Sequence, residues 1–276
     1  MLFFNANFIC YYFYPTKKRE EPIIFYKGCG GVSFVRVFIQ SYKNGIPHSH
    51  NFYVAFAGFR EMGFEIIPFS DYHTLATSRP EDIVVGYVGT VRQRLKDLHV
   101  MVPEMDYPEE LNKYLGRRVW KDTINHISSS PDLWPVFVKS IANKKFTGVV
   151  VKSPGDLIGC GDEKEDTPVL CSEPVKFLAE WRCFVRYGHI LDIRRYKGNW
   201  KNIPDYRVME QAVSDYAAAP KGYAIDFGYT EDHRTLLIEV NDGYALGSYG
   251  LFYLDYAKLL SARWSELTQT EDPCNF

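Results

Sequence analysis

The stretch Ile225-Asp226-Phe227-Gly228-Tyr229-Thr230-Glu231-Asp232-His233-Arg234-Thr235-Leu236-Leu237-Ile238-Glu239-Val240-Asn241 decides how the rest of the chain is read. Apolar and β-branched residues flank a polar connection from Thr230 to Arg234, the pattern of two strands joined as a hairpin. Side chains alternate faces along a strand, so Glu239 and Asn241 point one way and Ile238 and Val240 the other. A hairpin centred between Asp232 and His233 sets Asp226 directly opposite Glu239 on one face. Two carboxylates so placed repel each other unless a positive charge lies between them. Mg2+ suits that position, because it takes oxygen ligands and is held by one or two carboxylates together with substrate phosphates. The same residues also suit a solvated polar face that ends in an Asn241-Asp242-Gly243 turn. The pattern alone leaves both readings open.

Working outward, Glu180-Trp181-Arg182-Cys183-Phe184-Val185 precedes a turn at Gly188 and then Ile193-Arg194-Arg195-Tyr196-Lys197. A hairpin centred on Gly188 puts Glu180, Arg182, Arg194 and Tyr196 on one face. An arginine held by its neighbours binds phosphate oxygens in a bidentate manner. The other reading is a surface ladder of cross-strand ion pairs, which contributes little to stability. Further back, Lys139 sits on the apolar run Val136 to Ser140, where a phosphate would compensate a costly buried ammonium. Lys144 and Lys145 follow in a polar turn. Ser172-Glu173-Pro174-Val175 is either an ordinary loop or a hinge whose backbone meets an adenine edge.

The surrounding texture falls into two parts. From Phe34 to about Leu98, strands at Phe34 to Gln40, Phe64 to Pro68 and Asp82 to Gly86 alternate with helices from Asn51, as its cap, to Met62 and from Arg92 to Leu98. That alternation predicts a small α/β unit with a parallel sheet. The acidic, proline-bearing stretch Pro103 to Glu109 marks a boundary. Beyond it, closely spaced strands at Val136, Thr147, Val169, Phe177, Ile190, Tyr223 and Thr235 are interrupted by a helix from Tyr206 to Ala218. A helix from Leu251 to Leu267 closes an α+β half. Residues 1–33 form an aromatic, apolar extension with a further strand at Ile23 to Tyr26; its role stays open.

The 276 residues are 46% hydrophobic and 24% charged, a globular balance, and the formal net charge of -2 disfavours a nucleic-acid partner bound through bulk charge. No apolar run approaches the roughly 18 residues a membrane span needs. Six cysteines without a C-x-x-C pair resemble neither a zinc site nor a secreted disulfide framework, and the expected location is the cytoplasm. There is no P-loop motif, and Gly28-Cys29-Gly30-Gly31 lacks dinucleotide-binding spacing. His48-Ser49-His50 has no further ligand run beside it, and Leu246-Gly247-Ser248-Tyr249-Gly250 is not a nucleophile elbow.

Taken in order, a strand lysine, a hinge glutamate, an E-x-R-x-F-V strand and an Asp followed by E-x-N resemble the ATP-grasp superfamily. The likeness is to a divergent clade that includes the eukaryotic cell-division-cycle protein acting in assembly of translation initiation factor two, together with bacterial and phage relatives. Gln40-Ser41, Asn51, Gly63-Phe64-Glu65, Tyr114 to Trp120 and Thr147-Gly148 also look like that clade's pattern, and the resemblance covers about Val35 to Gly250. It implies a small α/β pre-grasp domain over 34–115 and, over 116–276, two α+β subdomains with ATP sandwiched between them.

On that resemblance, Lys139 and Lys145 contact the phosphates, Ser172, Glu173, Val175 and Glu180 belong to the nucleotide site, and Asp226, Glu239 and Asn241 hold Mg2+. Arg182 holds the transferring phosphoryl group, with Arg194 and Lys197 as helpers. The implied activity is ADP-forming ligation of a carboxylate to an amine through an acyl-phosphate, on a peptide, protein or amino acid. An ATP-binding assembly factor for a protein partner, without turnover, is the alternative. Ligation or repair at nucleic-acid ends is a weaker third, given the near-neutral charge.

Overall fold

A computed structural model describes residues 35–276 apart from 104, 106, 142–145, 147 and 162–164. Phe34–Phe276 forms one compact unit. The expectations for Ile23 to Tyr26, the glycines at 28, 30 and 31, and Lys144 and Lys145 lie outside the described residues. Among the described residues no helix is long and apolar enough to cross a membrane.

The first layer is a parallel sheet of β1 (Arg36–Gln40), β2 (Glu65–Phe69) and β3 (Ile83–Val85), in the order β2-β1-β3. Val37, Phe38 and Ile39 of the central strand are all buried, as a strand covered on both faces requires. Parallel neighbours need crossovers, supplied by α1 (His50–Glu61) and α2 (Tyr72–Ala76), with α3 (Val88–Asp97) after β3. The cap of α1 is Ser49, whose Oγ accepts from the Phe52 N–H at 3.3 Å, and not Asn51 as the sequence suggested. Asn51 is engaged elsewhere, as described below.

Asp82, just before β3, is fully buried and accepts hydrogen bonds from the Arg36 and Arg79 backbones and from both guanidiniums. Burial alone would push its carboxyl up, but these donors outweigh it and hold the group down at about 2. Its folded value lies below the unfolded one, so the stability it contributes is present above about pH 4 and lost as pH falls toward 2. Asp82→Asn is expected to cost roughly 2 kcal/mol in urea unfolding at pH 7. The difference from the parent should shrink steadily between pH 4 and pH 2. A gap independent of pH would mean that the carboxylate charge plays no part.

The second layer is antiparallel: β4 (Val119–Thr123), β5 (Val136–Ser140), β6 (Val149–Val151) and β7 (Pro168–Ser172), in the order β4-β7-β5-β6. One face carries Val136, Val138, Val169 and Cys171, packed under α4 (Ile124–Ser129). The other face carries Lys139.

The third layer is also antiparallel: β8 (Phe177–Arg186), β9 (His189–Gly198), β10 (Gly222–Thr230) and β11 (Thr235–Asp242), in the order β11-β10-β8-β9. The β8–β9 connection is the two-residue pair Tyr187 and Gly188, with φ of 50° and 74°; two consecutive positive values are what a tight hairpin of this hand demands. Helix α5 (Tyr206–Asp215) covers one face, where Met209, Ala212 and Val213 meet Cys183, Val185 and Ile225. Helix α6 (Tyr253–Thr268) then returns to the first layer. It presses on α1 so closely that a Cβ on Gly58 would lie 2.3 Å from the Tyr253 carbonyl oxygen.

Candidate functional site

The site is built on the β10–β11 hairpin, and an irregularity there decides what faces it. Near the turn, Phe227 lies opposite Leu237 and Tyr229 opposite Thr235; beyond it, Asp226 lies opposite Glu239 and Ala224 opposite Asn241. Ile238 is therefore an extra residue in β11. Had the turn-side register continued, Asp226 would face Ile238 and Glu239 would face Ile225, toward the α5 core. A one-residue shift swaps strand faces. The bulge thus delivers Glu239 and Asn241 to the same face as Asp226.

On the other side of β10, Asp226 lies opposite Arg182. Arg182 Nε donates to Asp226 Oδ1 and Nη2 to Oδ2, both at 2.7 Å, and Asn241 Nδ2 adds a third bond at 3.1 Å. The pair is almost wholly buried, with side chains 7% and 2% exposed. Burial pushes the Asp226 carboxyl up and Glu239 adds to that, while the bonds from Arg182 pull it down. For Arg182, burial lowers the guanidinium, but the paired carboxylate outweighs burial and holds it up. The guanidinium also lies over the rings of Tyr249 (4.8 Å) and Tyr196 (5.7 Å), which stack on each other at 5.0 Å. Burial and the nearby Asp226 and Glu180 charges push the Tyr196 hydroxyl up, keeping it a donor.

Glu239 bridges to the second layer. Lys139 Nζ on β5 donates to Glu239 Oε2 at 2.9 Å, and the same ammonium lies 4.8 Å from the centre of the Tyr107 ring. Lys139, Glu239, Asp226 and Arg182 therefore form a row with a cation at each end and the two carboxylates facing each other across β10 and β11 in the middle. Arg194 stands opposite Arg182 on β9 and pairs with Asp192 at 2.5 Å. Lys197 pairs with Glu180 at 2.5 Å, one step along the same hairpin. Ser172 lies opposite Phe137, which places it on the Lys139 face of the second layer. Glu173 exchanges backbone and side-chain bonds with Arg118, its Oε2 accepting from the Arg118 N–H at 2.9 Å. Val175 lies in the connection from β7 to β8. Lys145 lies outside the described residues.

Among the described residues no group of three or more His, Cys, Asp or Glu forms a self-sufficient metal cage. The donor set of Asp226, Glu239 and the Asn241 amide oxygen is nonetheless all hard oxygen, two carboxylates and one carbonyl. That matches Mg2+ arriving with phosphates and water in its remaining positions. The sequence reading gave Arg182 to phosphate and Asp226 to metal as separate tasks; the structure joins them. The pair uses Nε and Nη2 of Arg182, leaving the Nη1 edge outside it. Burial pushes the Cys171 and Cys183 thiols up to about 12, so neither is a ready nucleophile.

Sequence reasoning missed Tyr249. It sits at φ +42°, a backbone region costing a non-glycine residue about 1 kcal/mol. Its neighbour Ser248 donates from both N and Oγ to Asn51 Oδ1, at 3.0 and 2.9 Å. Asn51 therefore ties the loop that carries Tyr249 over Arg182. The contact joins positions 51 and 248, and no local pattern announces it.

Residues 114–259 match a family model described as an ATP-grasp domain, the second family of its clade. No curated protein matches the chain by sequence. Among solved structures, the chain is similar to N5-carboxyaminoimidazole synthetase from Staphylococcus aureus complexed with ADP, with TM-score 0.54, 13% identity, and 88% of this chain and 80% of that one covered. It is also similar to D-alanine–D-alanine ligase from Bacillus anthracis, with TM-score 0.52, 15% identity, and 86% and 99% covered. A structure of that ligase complexed with ATP gives TM-score 0.50 at 15% identity, covering 87% and 99%. At such identities the likeness is one of fold, and the fold is the one the sequence resemblance implied.

Proposed function

Because the chain belongs to the ATP-grasp superfamily, in the second family of a divergent clade, we propose that it is an ATP-dependent, ADP-forming carboxylate–amine ligase acting on a peptide, a protein or an amino acid. The observation that carries this reading is the row Lys139–Glu239–Asp226–Arg182, which spans two sheets with its cations at the ends and its carboxylates inside. Mg2+, when bound through Glu239, Asn241 and Asp226, neutralises charge on the transferring phosphoryl group. Lys139 exchanges its carboxylate partner for phosphate oxygens, and Lys145 is assigned the same task on the sequence resemblance alone. Ser172, Glu173 and Val175 line the adenosine end, and Glu180 fixes Tyr196 and Lys197. The Nη1 edge of Arg182 meets the γ-phosphate.

The substrate carboxylate attacks the γ-phosphorus and ADP leaves. The amine then attacks the acyl carbon, loses a proton, and phosphate leaves. Arg182 and the helpers Arg194 and Lys197 stabilise negative charge on the moving phosphoryl oxygens, where preorganised donors act most strongly. The reading sets this work in the cytoplasm, with its ATP.

Mg-ATP is expected to raise the melting temperature. At about a hundred times the dissociation constant the stabilisation is roughly 2.7 kcal/mol, which at this size is about 5–10 °C. ADP release is then measured with pooled amino acids and cell peptides. The second reading, an ATP-binding assembly factor, draws on the commitment of two Arg182 nitrogens to Asp226, which suits holding a nucleotide as much as transferring from it. Tight ATP binding without turnover across broad pools would decide for that reading. No thermal response to Mg-ATP would end both.

A further inference from the structure

The bulge at Ile238 has a keeper. Leu115, Gly116 and Arg117 run along the outer edge of β11. Arg117 Nη1 donates to the Leu237 carbonyl at 2.7 Å and to the Leu115 carbonyl at 3.0 Å, and Nη2 donates to the Ile238 carbonyl at 3.2 Å. The two β11 carbonyls are those of the extra residue and the one before it. Gly116 makes the approach possible: its φ is +58°, and a Cβ there would lie 2.5 Å from a Leu236 methyl. Arg117 is half-buried and burial lowers its guanidinium; among the described residues it pairs with no carboxylate, and its partners are these carbonyls, Tyr107 and the Phe177 ring, whose centre lies 5.9 Å from the guanidinium carbon. A cation held this way is a costly means of fixing a loop, and the feature it fixes is the one that turns Glu239 toward Asp226.

We propose that Arg117 is a positioning residue for the metal-binding face: by clamping the Leu237 and Ile238 carbonyls it holds the β11 bulge, and so keeps Glu239 and Asn241 beside Asp226. The inference rests on the ligase reading for the identity of the ligand, but its structural half stands on the register alone. Residues that orient metal ligands from outside the coordination shell typically change metal affinity by about 10–100-fold when removed. Arg117 is committed to the Leu115, Leu237 and Ile238 carbonyls and not assigned to the nucleotide, so nucleotide affinity without metal should be spared.

The test compares Arg117→Met with Met209→Ala, a core variant in the cluster that also holds Leu237 and Val240, which thins the packing behind β11 but leaves Arg117 and its carbonyl partners in place. ATP binding is followed by thermal shift in EDTA and across a Mg2+ titration. In Arg117→Met the Mg2+ concentration for half-maximal response is expected to rise at least about tenfold, with ATP affinity in EDTA within about twofold of the parent. Met209→Ala should change neither. Arg117→Lys, which keeps the charge but loses the two-nitrogen fork, should fall between, and it carries the test if the methionine variant does not fold. A Mg2+ requirement unchanged in Arg117→Met, or raised equally in Met209→Ala, overturns the proposal. If the parent itself gives no Mg-ATP response, the ligase reading fails separately, and amide hydrogen exchange over 236–241 decides the clamp. Exchange raised there in the Arg117 variant alone supports it; exchange matched by Met209→Ala refutes it.

Discussion

Asp226→Ala is expected to lower the melting temperature by on the order of 10 °C. The substitution leaves the Arg182 guanidinium buried with no carboxylate to balance it, and removing one member of a buried ion pair costs about 3–5 kcal/mol. At this chain length each kcal/mol moves the transition by roughly 2–4 °C. The loss should be largely recovered in Asp226→Ala combined with Arg182→Met, because that pair of changes removes both charges and leaves apolar volume. Calorimetry on the four members of this cycle isolates the coupling. If the single alanine variant melts within about 2 °C of the parent, the pair is not the internal brace that its geometry describes.

Arg182→Lys should retain most of the fold and lose turnover. The ammonium keeps the positive charge opposite Asp226, but it cannot make two parallel bonds to the carboxylate and still present a further donor edge to phosphate. Loss of one preorganised donor at a site of developing charge typically costs about 10²–10³ in rate. Nucleotide binding should weaken far less, since Lys139 and the face carrying Asp226, Glu239 and Asn241 remain. The assay is ADP release with a substrate pool that supports turnover in the parent, at a temperature well below the melting point of either protein. Unchanged turnover would take Arg182 out of the chemistry and leave it a structural partner of Asp226.

The sequence carried the opposition of Asp226 and Glu239, because a hairpin centre fixes a register, and the centre between Asp232 and His233 is the one that operates at the site. It did not carry the change of register between Phe227 and Asp226. A bulge has no local signature here, and its anchor, Arg117, lies over a hundred residues away in the chain. The face shared by Arg182 and Arg194 was likewise legible from their spacing about Gly188, with two bulges in that hairpin again hidden. The bond from Arg182 to Asp226 was not, since it needs β8 beside β10, a pairing of strands separated by β9 and α5. Strand β4 escaped notice because Val119-Trp120-Lys121-Asp122-Thr123 is too polar to announce itself; it is extended because it pairs with β7.

Helix α6 begins some two hundred residues after α1, yet the two share a backbone-to-backbone seam at Gly58 and Tyr253. On a ribosome emitting some 5–20 residues each second, α1 would therefore emerge long before its partner helix exists, and its Gly58 side would stay wet for about ten seconds or more. The α1 layer is sealed only by a helix made some two hundred residues after it. A stalled or shortened translation product would present that unsealed seam to chaperones and proteases.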